Sequence, residues 1–200
     1  EAIDAGFDSA IFDGAKMSLE ENIAETKKCV EYAKACGRDV LIEGELGYIG
    51  QSSKILDAIP EGAGTEGVAL TSDADAKKYV EETGVDLFAP AVGMIHGMLK
   101  NVPDPRLDIE RVKSISSITG LPLVLHGASG NSKEDIQATI KAGVSIVHIN
   151  TEIRVAFKEG LVHSMTEHPD EIAPYKLLKE AEEEVKKTVT EKLKIFNFID

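Results

Sequence analysis

Short apolar runs alternate along this chain with longer stretches of helical period, and polar residues gather just after each run. Ser9 to Phe12 follows a Gly6 turn and gives way to Asp13-Gly14, which reads as a strand with a loop at its carboxyl end. Ser18 with Glu21 makes a capping box, and Ile23, Val30 and Ala33 carry a helical stripe to Gly37. Val40 to Ile42 predicts the next strand, ending in Glu43-Gly44-Glu45-Leu46-Gly47. Tyr48 to Leu70 is polar, bears glycines and has no strong period. Loops that long inside a domain are usually functional lids or disordered.

The alternation then resumes. Ser72, with Asp75 three residues on, opens a helix to Glu82 closed by Gly84; Asp86 to Val92 is a strand running into Gly93-Met94-Ile95-His96-Gly97. Asn101 to Pro105 is a loop and Asp108 to Thr119 a helix, followed by the apolar run Leu121, Leu123, Val124, Leu125. That run delivers His126 into Gly127-Ala128-Ser129-Gly130, a loop without one bulky side chain, and Ser132 caps the helix to Ala142. Such a loop lets backbone N–H groups approach an anion, and the same stretch also reads as a turn after a core strand with a satisfied histidine. Ser145 to Ile149 is the last strand, followed by helices over Glu152 to Glu167 and Pro174 to Leu193.

Five strand-helix alternations specify an α/β fold with a parallel sheet. Every candidate polar residue, Asp13, Glu43, Glu45, His96, His126, His148 and Asn150, falls just after a strand, where (β/α)₈ barrels carry their chemistry. A TIM (β/α)₈ barrel takes about 250 residues. The 200 residues here therefore read as one partial barrel domain over 1–200, the last five β/α units plus C-terminal helices. The opening Glu1 to Ser9 reads as the end of a helix, an expectation that earlier units precede it.

Composition narrows the functional classes. A hydrophobic fraction of 42% supports one sizeable core, and a net charge of −13 argues against a nucleic-acid or anionic-membrane partner. No apolar run approaches the ~20 residues of a membrane span. Cys29 and Cys36 sit seven residues apart on a predicted helix. That is about 10 Å along its axis, so free thiols and a cytoplasmic location are expected.

His96 and His126, each followed by glycine at the ends of neighbouring strands, make a divalent metal site plausible, with Glu45 as an oxygen ligand. A lone histidine after a strand is more often structural. The residues at 43–47 (Glu-Gly-Glu-Leu-Gly), 95–97 (Ile-His-Gly), 125–130 (Leu-His-Gly-Ala-Ser-Gly) and 150–154 (Asn-Thr-Glu-Ile-Arg) together resemble class II fructose-bisphosphate aldolases and their tagatose-bisphosphate relatives. The resemblance runs in order along essentially the whole chain.

It implies a (β/α)₈ barrel in which zinc stabilises the enediolate of dihydroxyacetone phosphate during reversible cleavage of a ketose 1,6-bisphosphate. His96 and His126 resemble the second and third zinc ligands, and Glu45 the glutamate close to the metal. Gly97, Gly127, Ser129, Asn150 and Thr151 match positions that hold the dihydroxyacetone phosphate group, partly through a monovalent cation, Na⁺ or K⁺. Helix capping accounts equally for Ser129 and Thr151. Homo-oligomers, dimers or tetramers, are the family's usual state.

The departures shape the expectation. The family's first zinc ligand and its catalytic aspartate form an Asp-His pair, and no Asp-His occurs here, so both are expected upstream of Glu1. Ser53 stands where the lid's proton-moving glutamate is expected, which leaves Glu61 or Glu66 for that task, or a changed proton transfer. His148, where many members have asparagine near the enediolate, is a candidate catalytic donor or a core residue. Ala173-Pro174-Tyr175-Lys176 replaces an Asp-Pro-Arg element, leaving the second phosphate to Lys176, to Arg154 or to neither. The expected activity is zinc-dependent aldol cleavage by the full-length parent. The alternatives are a non-catalytic phosphosugar-binding subunit and another metal-dependent lyase.

Overall fold

In the computed structural model, which describes residues 1–63, 70–100 and 104–199, the elements follow in order: β1 (Ser9–Asp13), α1 (Leu19–Ala35), β2 (Leu41–Leu46), β3 (Ile55–Leu56), α2 (Asp73–Thr83), β4 (Leu87–Pro90), β5 (Met98–Leu99), α3 (Ile109–Thr119), β6 (Leu123–Leu125), α4 (Lys133–Ala142), β7 (Val144–Val147), α5 (Thr151–Glu167) and α6 (Pro174–Phe196). Capping starts the helices where the sequence placed them. Ser18 and Glu21 form both halves of the capping box, and Ser72 and Ser132 accept from the backbone N–H of Asp75 and Asp135. Gly84 and Gly120 end α2 and α3 in the left-handed conformation that a side chain would strain.

Five of the strands form a parallel sheet in the order β1-β2-β4-β6-β7, the order of the chain, and β3 and β5 form a separate two-stranded sheet. Side chains alternate across it. Ile42, Phe88, Leu123 and Leu125 join Val30, Tyr79, Val112 and Ile115 of the helices in the main core. The opposite face carries Leu87, Ala89, Val124 and Ile146 as a smaller cluster. Ladder pairs Ile11↔Glu43↔Leu87 and Asp13↔Glu45↔Ala89 put both glutamates on that second face. It is incompletely covered, since Ile11 and Leu41 there remain 46% and 43% exposed.

The structure corrects several boundaries. The second strand runs on through Glu43 to Leu46, so both glutamates lie within a strand rather than in the loop after it. Gly44 explains how: a Cβ there would meet the Tyr79 ring and hydroxyl at 2.6 Å, so β2 and α2 approach closely only through glycine. The Tyr79 hydroxyl joins a buried network with Thr26 (2.7 Å) and Asn22, whose amide donates to the Glu45 carbonyl at 2.9 Å. The Tyr48 to Leu70 segment is also not wholly without structure, because Ile55–Leu56 pairs in parallel with Met98–Leu99. A two-residue strand leaves no period to read. The third predicted strand, Asp86 to Val92, shrinks to Leu87–Pro90, the final helix extends to Phe196, and Glu1 to Gly6 forms turns with Ala5 N–H donating to the Glu1 carbonyl. Cys29 and Cys36 are free, as expected.

α5 and α6 form a hairpin that meets at Gly160, where a Cβ would stand 2.7 Å from the Glu180 carbonyl oxygen and 2.8 Å from Ala181 Cα. Backbone cannot move aside as a side-chain tip does. Gly160→Ala is therefore expected to destabilise the protein by about 2 kcal/mol in urea unfolding, the usual cost of overpacking. An unchanged midpoint would show that the hairpin has slack.

Candidate metal and phosphate site

Alternation along the strands assembles the site. Glu43 and Glu45 lie on the inner face of β2, His126 continues the face of Val124, and His148 continues that of Ile146. The His148 N–H donates to the Leu125 carbonyl at 2.9 Å, extending the β6-β7 ladder past the last strand residue. His96 arrives differently, on the loop between β4 and β5. Its backbone N–H donates to the Ile49 carbonyl and its Nδ1–H to the Gly50 carbonyl, each at 2.8 Å. The start of the lid segment thus fixes the ring and leaves Nε2 with its lone pair.

The three predicted histidines come together. The His96 and His126 ring centroids are 5.8 Å apart and edge-to-face, and His126 and His148 are 4.5 Å apart at 75°. His126 Nε2 is 2.5 Å from Glu43 Oε1, which leaves Nδ1 as the free nitrogen of that ring. Glu43, a candidate polar residue in the sequence but not one assigned to the metal, is the carboxylate that meets His126. The Glu43-Gly44-Glu45 alternation was the signal for it, since both carboxylates must share a face once β2 extends through them. Glu45 is buried in the same wall beside His126.

Burial sets the electrostatics. It pushes the Glu45 carboxyl up to about 7, against the opposing pull of His126 and with the support of Asp13 and Glu43. Burial also disfavours charge on His126, but the Glu43 hydrogen bond and the surrounding carboxylates outweigh it and raise that imidazole. His96 and His148 are lowered by burial, with the His126 charge acting in the same direction. Neutral imidazole is the form that ligates a metal.

Next to the histidines lies the glycine loop. Gly127 has φ +57°, and a Cβ there would run into the Ile95 carbonyl, so the two His-Gly turns touch through backbone alone. At Gly97, φ +112°, a Cβ would meet the Lys54 carbonyl oxygen and the Leu56 side chain, each at 2.8 Å. Ala128 and Ser129 are buried, and among the described residues the N–H groups of Gly127, Ala128 and Ser129 have no partner. Gly130 N–H donates to Glu152 Oε1 at 2.7 Å. Asn150 caps α5 without a side-chain bond to its first turn, and buried Thr151 begins it. The Asn150 amide instead donates to Ser53 Oγ at 3.0 Å, which brings the lid to the mouth at the residue that stands in for the expected acid.

The other candidates are placed elsewhere. Glu61 is exposed, and Glu66 lies outside the described residues. Lys176 is held by Glu171 at 2.6 Å, and Arg154 is exposed on α5.

Among the described residues no group of three or more His, Cys, Asp or Glu side chains is arranged to hold a metal. The donor chemistry fits one in part. Two imidazoles each offer a free nitrogen while the other is held by a carbonyl or carboxylate, the arrangement that orients ligating histidines.

A family model described as fructose-bisphosphate aldolase class-II matches residues 1–200. The fructose-bisphosphate aldolase of Staphylococcus aureus (strain COL) is 38% identical over 196 residues, covering 98% of this chain and 65% of the relative. That of Geobacillus stearothermophilus is 36% identical, covering 98% and 64%. Among solved structures, the YdjI aldolase of Escherichia coli K12 matches with TM-score 0.72 and 30% identity, over 98% of this chain and 62% of that one. A protein from Coccidioides immitis described as a putative fructose-1,6-biphosphate aldolase matches with TM-score 0.74 and 29% identity, over 98% and 64%. The chain thus spans about 65% of the length of the curated relatives it matches.

Proposed function

This chain belongs to the class II fructose-bisphosphate aldolase family, and from that premise we propose that the protein performs reversible aldol cleavage of a ketose 1,6-bisphosphate, fructose or tagatose bisphosphate, to dihydroxyacetone phosphate and glyceraldehyde 3-phosphate. The observation that carries the proposal is the His96–His126 pair, 5.8 Å apart, with each ring held at one nitrogen and free at the other. In this reading His96 Nε2 and His126 Nδ1 hold zinc, Glu43 orients His126, and Glu45 stands close to the metal. A third ligand and the catalytic aspartate come from β/α units outside these 200 residues. The half-exposed Ile11 and Leu41 on the inner face of the sheet support a barrel closed by such units.

When bound, the divalent ion supplies Lewis-acid polarisation of the substrate carbonyl. The chain's own groups do the rest. The free N–H groups of Gly127, Ala128 and Ser129, with the amino terminus of α5 at Asn150 and Thr151, hold the phosphate of dihydroxyacetone phosphate. Gly97 lets the loop lie close, and a monovalent cation, Na⁺ or K⁺, assists. His148, kept neutral by burial, donates a hydrogen bond at the reacting oxygen. Packing of Ile49 to Leu56 along the His96 loop excludes water from that side.

Ser53 favours a second reading, a phosphosugar-binding subunit without catalysis, because its hydroxyl meets Asn150 where a proton-moving acid is expected. The two separate in one experiment on the complete barrel: zinc content and retro-aldol cleavage. Zinc with cleavage supports the aldolase; sugar phosphate bound without cleavage supports the subunit. The 200-residue chain alone is expected to show no cleavage, because two imidazoles make an incomplete site, and turnover by it would overturn the shared-ligand reading. Free Cys29 and Cys36 favour a cytoplasmic setting; a role at the glycolytic cleavage step and assembly as a dimer or tetramer rest on the family membership alone. Among the described residues no helix is long and apolar enough to cross a membrane.

A further inference from the structure

A loop that receives a phosphate dianion carries, in this chain, a fixed carboxylate on its fourth N–H. Glu152 Oε1 accepts from Gly130 at 2.7 Å, and the Glu152 N–H lies 3.5 Å from Ser129 Oγ, so residue 152 braces the loop from both ends of its own structure. The other oxygen, Oε2, is 2.6 Å from Lys192 Nζ on α6. Both side chains are enclosed, at 16% and 15% exposure, so water screens the pair poorly. α6 is held near the loop by Gln137 of α4, whose amide donates to the Ile195 carbonyl at 3.0 Å.

The loop already has one acid against it. The Asp104 carboxylate packs on the Gly130 Cα and takes the Leu99 N–H at 2.8 Å with Oδ1, while Oδ2 is buried and has no hydrogen-bond partner among the described residues. Burial first, and the Glu152 charge after it, push the Asp104 carboxyl up. A second uncompensated carboxylate a few ångströms from an incoming dianion would oppose binding.

We propose that Lys192 is a positioning and specificity residue for the phosphate site: it cancels the charge of Glu152 so that this carboxylate can hold the Gly127–Gly130 loop in shape without repelling the anion the loop receives. This rests on the phosphate-cradle reading given above. It makes α6, distant in sequence, a determinant of anion affinity.

The test is titration of the ¹⁵N-labelled complete barrel with inorganic phosphate, following the amides of Gly127, Ala128 and Ser129. K192M, which leaves the carboxylate alone, is expected to weaken phosphate binding about tenfold. E152Q retains an acceptor for Gly130 and is expected to bind as tightly as the parent or more tightly. The E152Q/K192M pair is expected to return to within about threefold of the parent, since coupled sites are non-additive. A merely structural brace predicts the opposite pattern: E152Q weaker than the parent, and the double variant weaker than either single. That pattern, or K192M binding as the parent does, overturns the inference while leaving the cradle standing. E152Q poses the question even if K192M fails to fold. Absence of any shift in parent and variants alike removes the cradle itself, and the inference with it.

Discussion

Gly127→Ala is expected to weaken metal binding at the site 10- to 100-fold while leaving most of the fold in place. Residue 127 has φ +57°, and its Cα faces the Ile95 carbonyl, whose carbon would stand 2.7 Å from the new Cβ. Neither partner is a flexible tip. Relief requires the two turns that carry His96 and His126 to separate, and the ring pair at 5.8 Å depends on their contact. Overpacking with a left-handed alanine costs about 2 to 4 kcal/mol, and loss of ligand orientation typically costs 10- to 100-fold in metal affinity. The measurements are urea unfolding and zinc retention on the complete barrel. Parent-like zinc affinity in G127A would show that the two turns are positioned by something other than this contact.

Glu45→Gln is expected to stabilise the metal-free protein at alkaline pH and to leave it unchanged in acid. The folded state holds the proton on Glu45 up to about 7, whereas the unfolded chain releases it near 4.5. Between those values the native state binds more protons than the unfolded state, so stability falls as pH rises, by about 3 kcal/mol in total. Below 4.5 both states are protonated and the residue contributes nothing to the slope. Glutamine mimics the neutral acid, so E45Q should coincide with the parent near pH 4.5 and exceed it near pH 8. His126 shifts in the same direction: its raised imidazole contributes stability below its unfolded value that is lost as pH rises, which steepens the decline in parent and variant alike. Parallel stability curves for parent and E45Q from pH 4.5 to 8 would mean that the Glu45 wall is wetter than its 4% exposure implies.

The local rules were legible in the chain. Ser18, Ser72 and Ser132 announced helix starts because a cap is satisfied by its own neighbours three residues on. Apolar runs announced buried parallel strands, and His96 and His126 were legible as a pair because each ends such a run and is followed by glycine. The lid was only half legible. Its pairing with Met98–Leu99 and the Gly50 carbonyl that holds the His96 ring both use the backbone of the lid, across some 45 residues, and backbone carries no residue type to read.

What the sequence by itself determined was the order of the five main strands and six helices, the parallel sheet, and that His96, His126, His148 and Asn150 stand beyond strand ends, because these follow from periodicity and capping within a few residues. The tertiary structure decided which carboxylate meets which ring. Glu43 rather than Glu45 holds His126, and Lys192 from the last helix reaches Glu152 beside the glycine loop. Those choices depend on strand register, on close approaches that only Gly44 and Gly127 permit, and on where a helix from the far end of the chain comes to rest. Charge pairing in a poorly screened mouth is set by ångströms, and separation along the chain does not encode them.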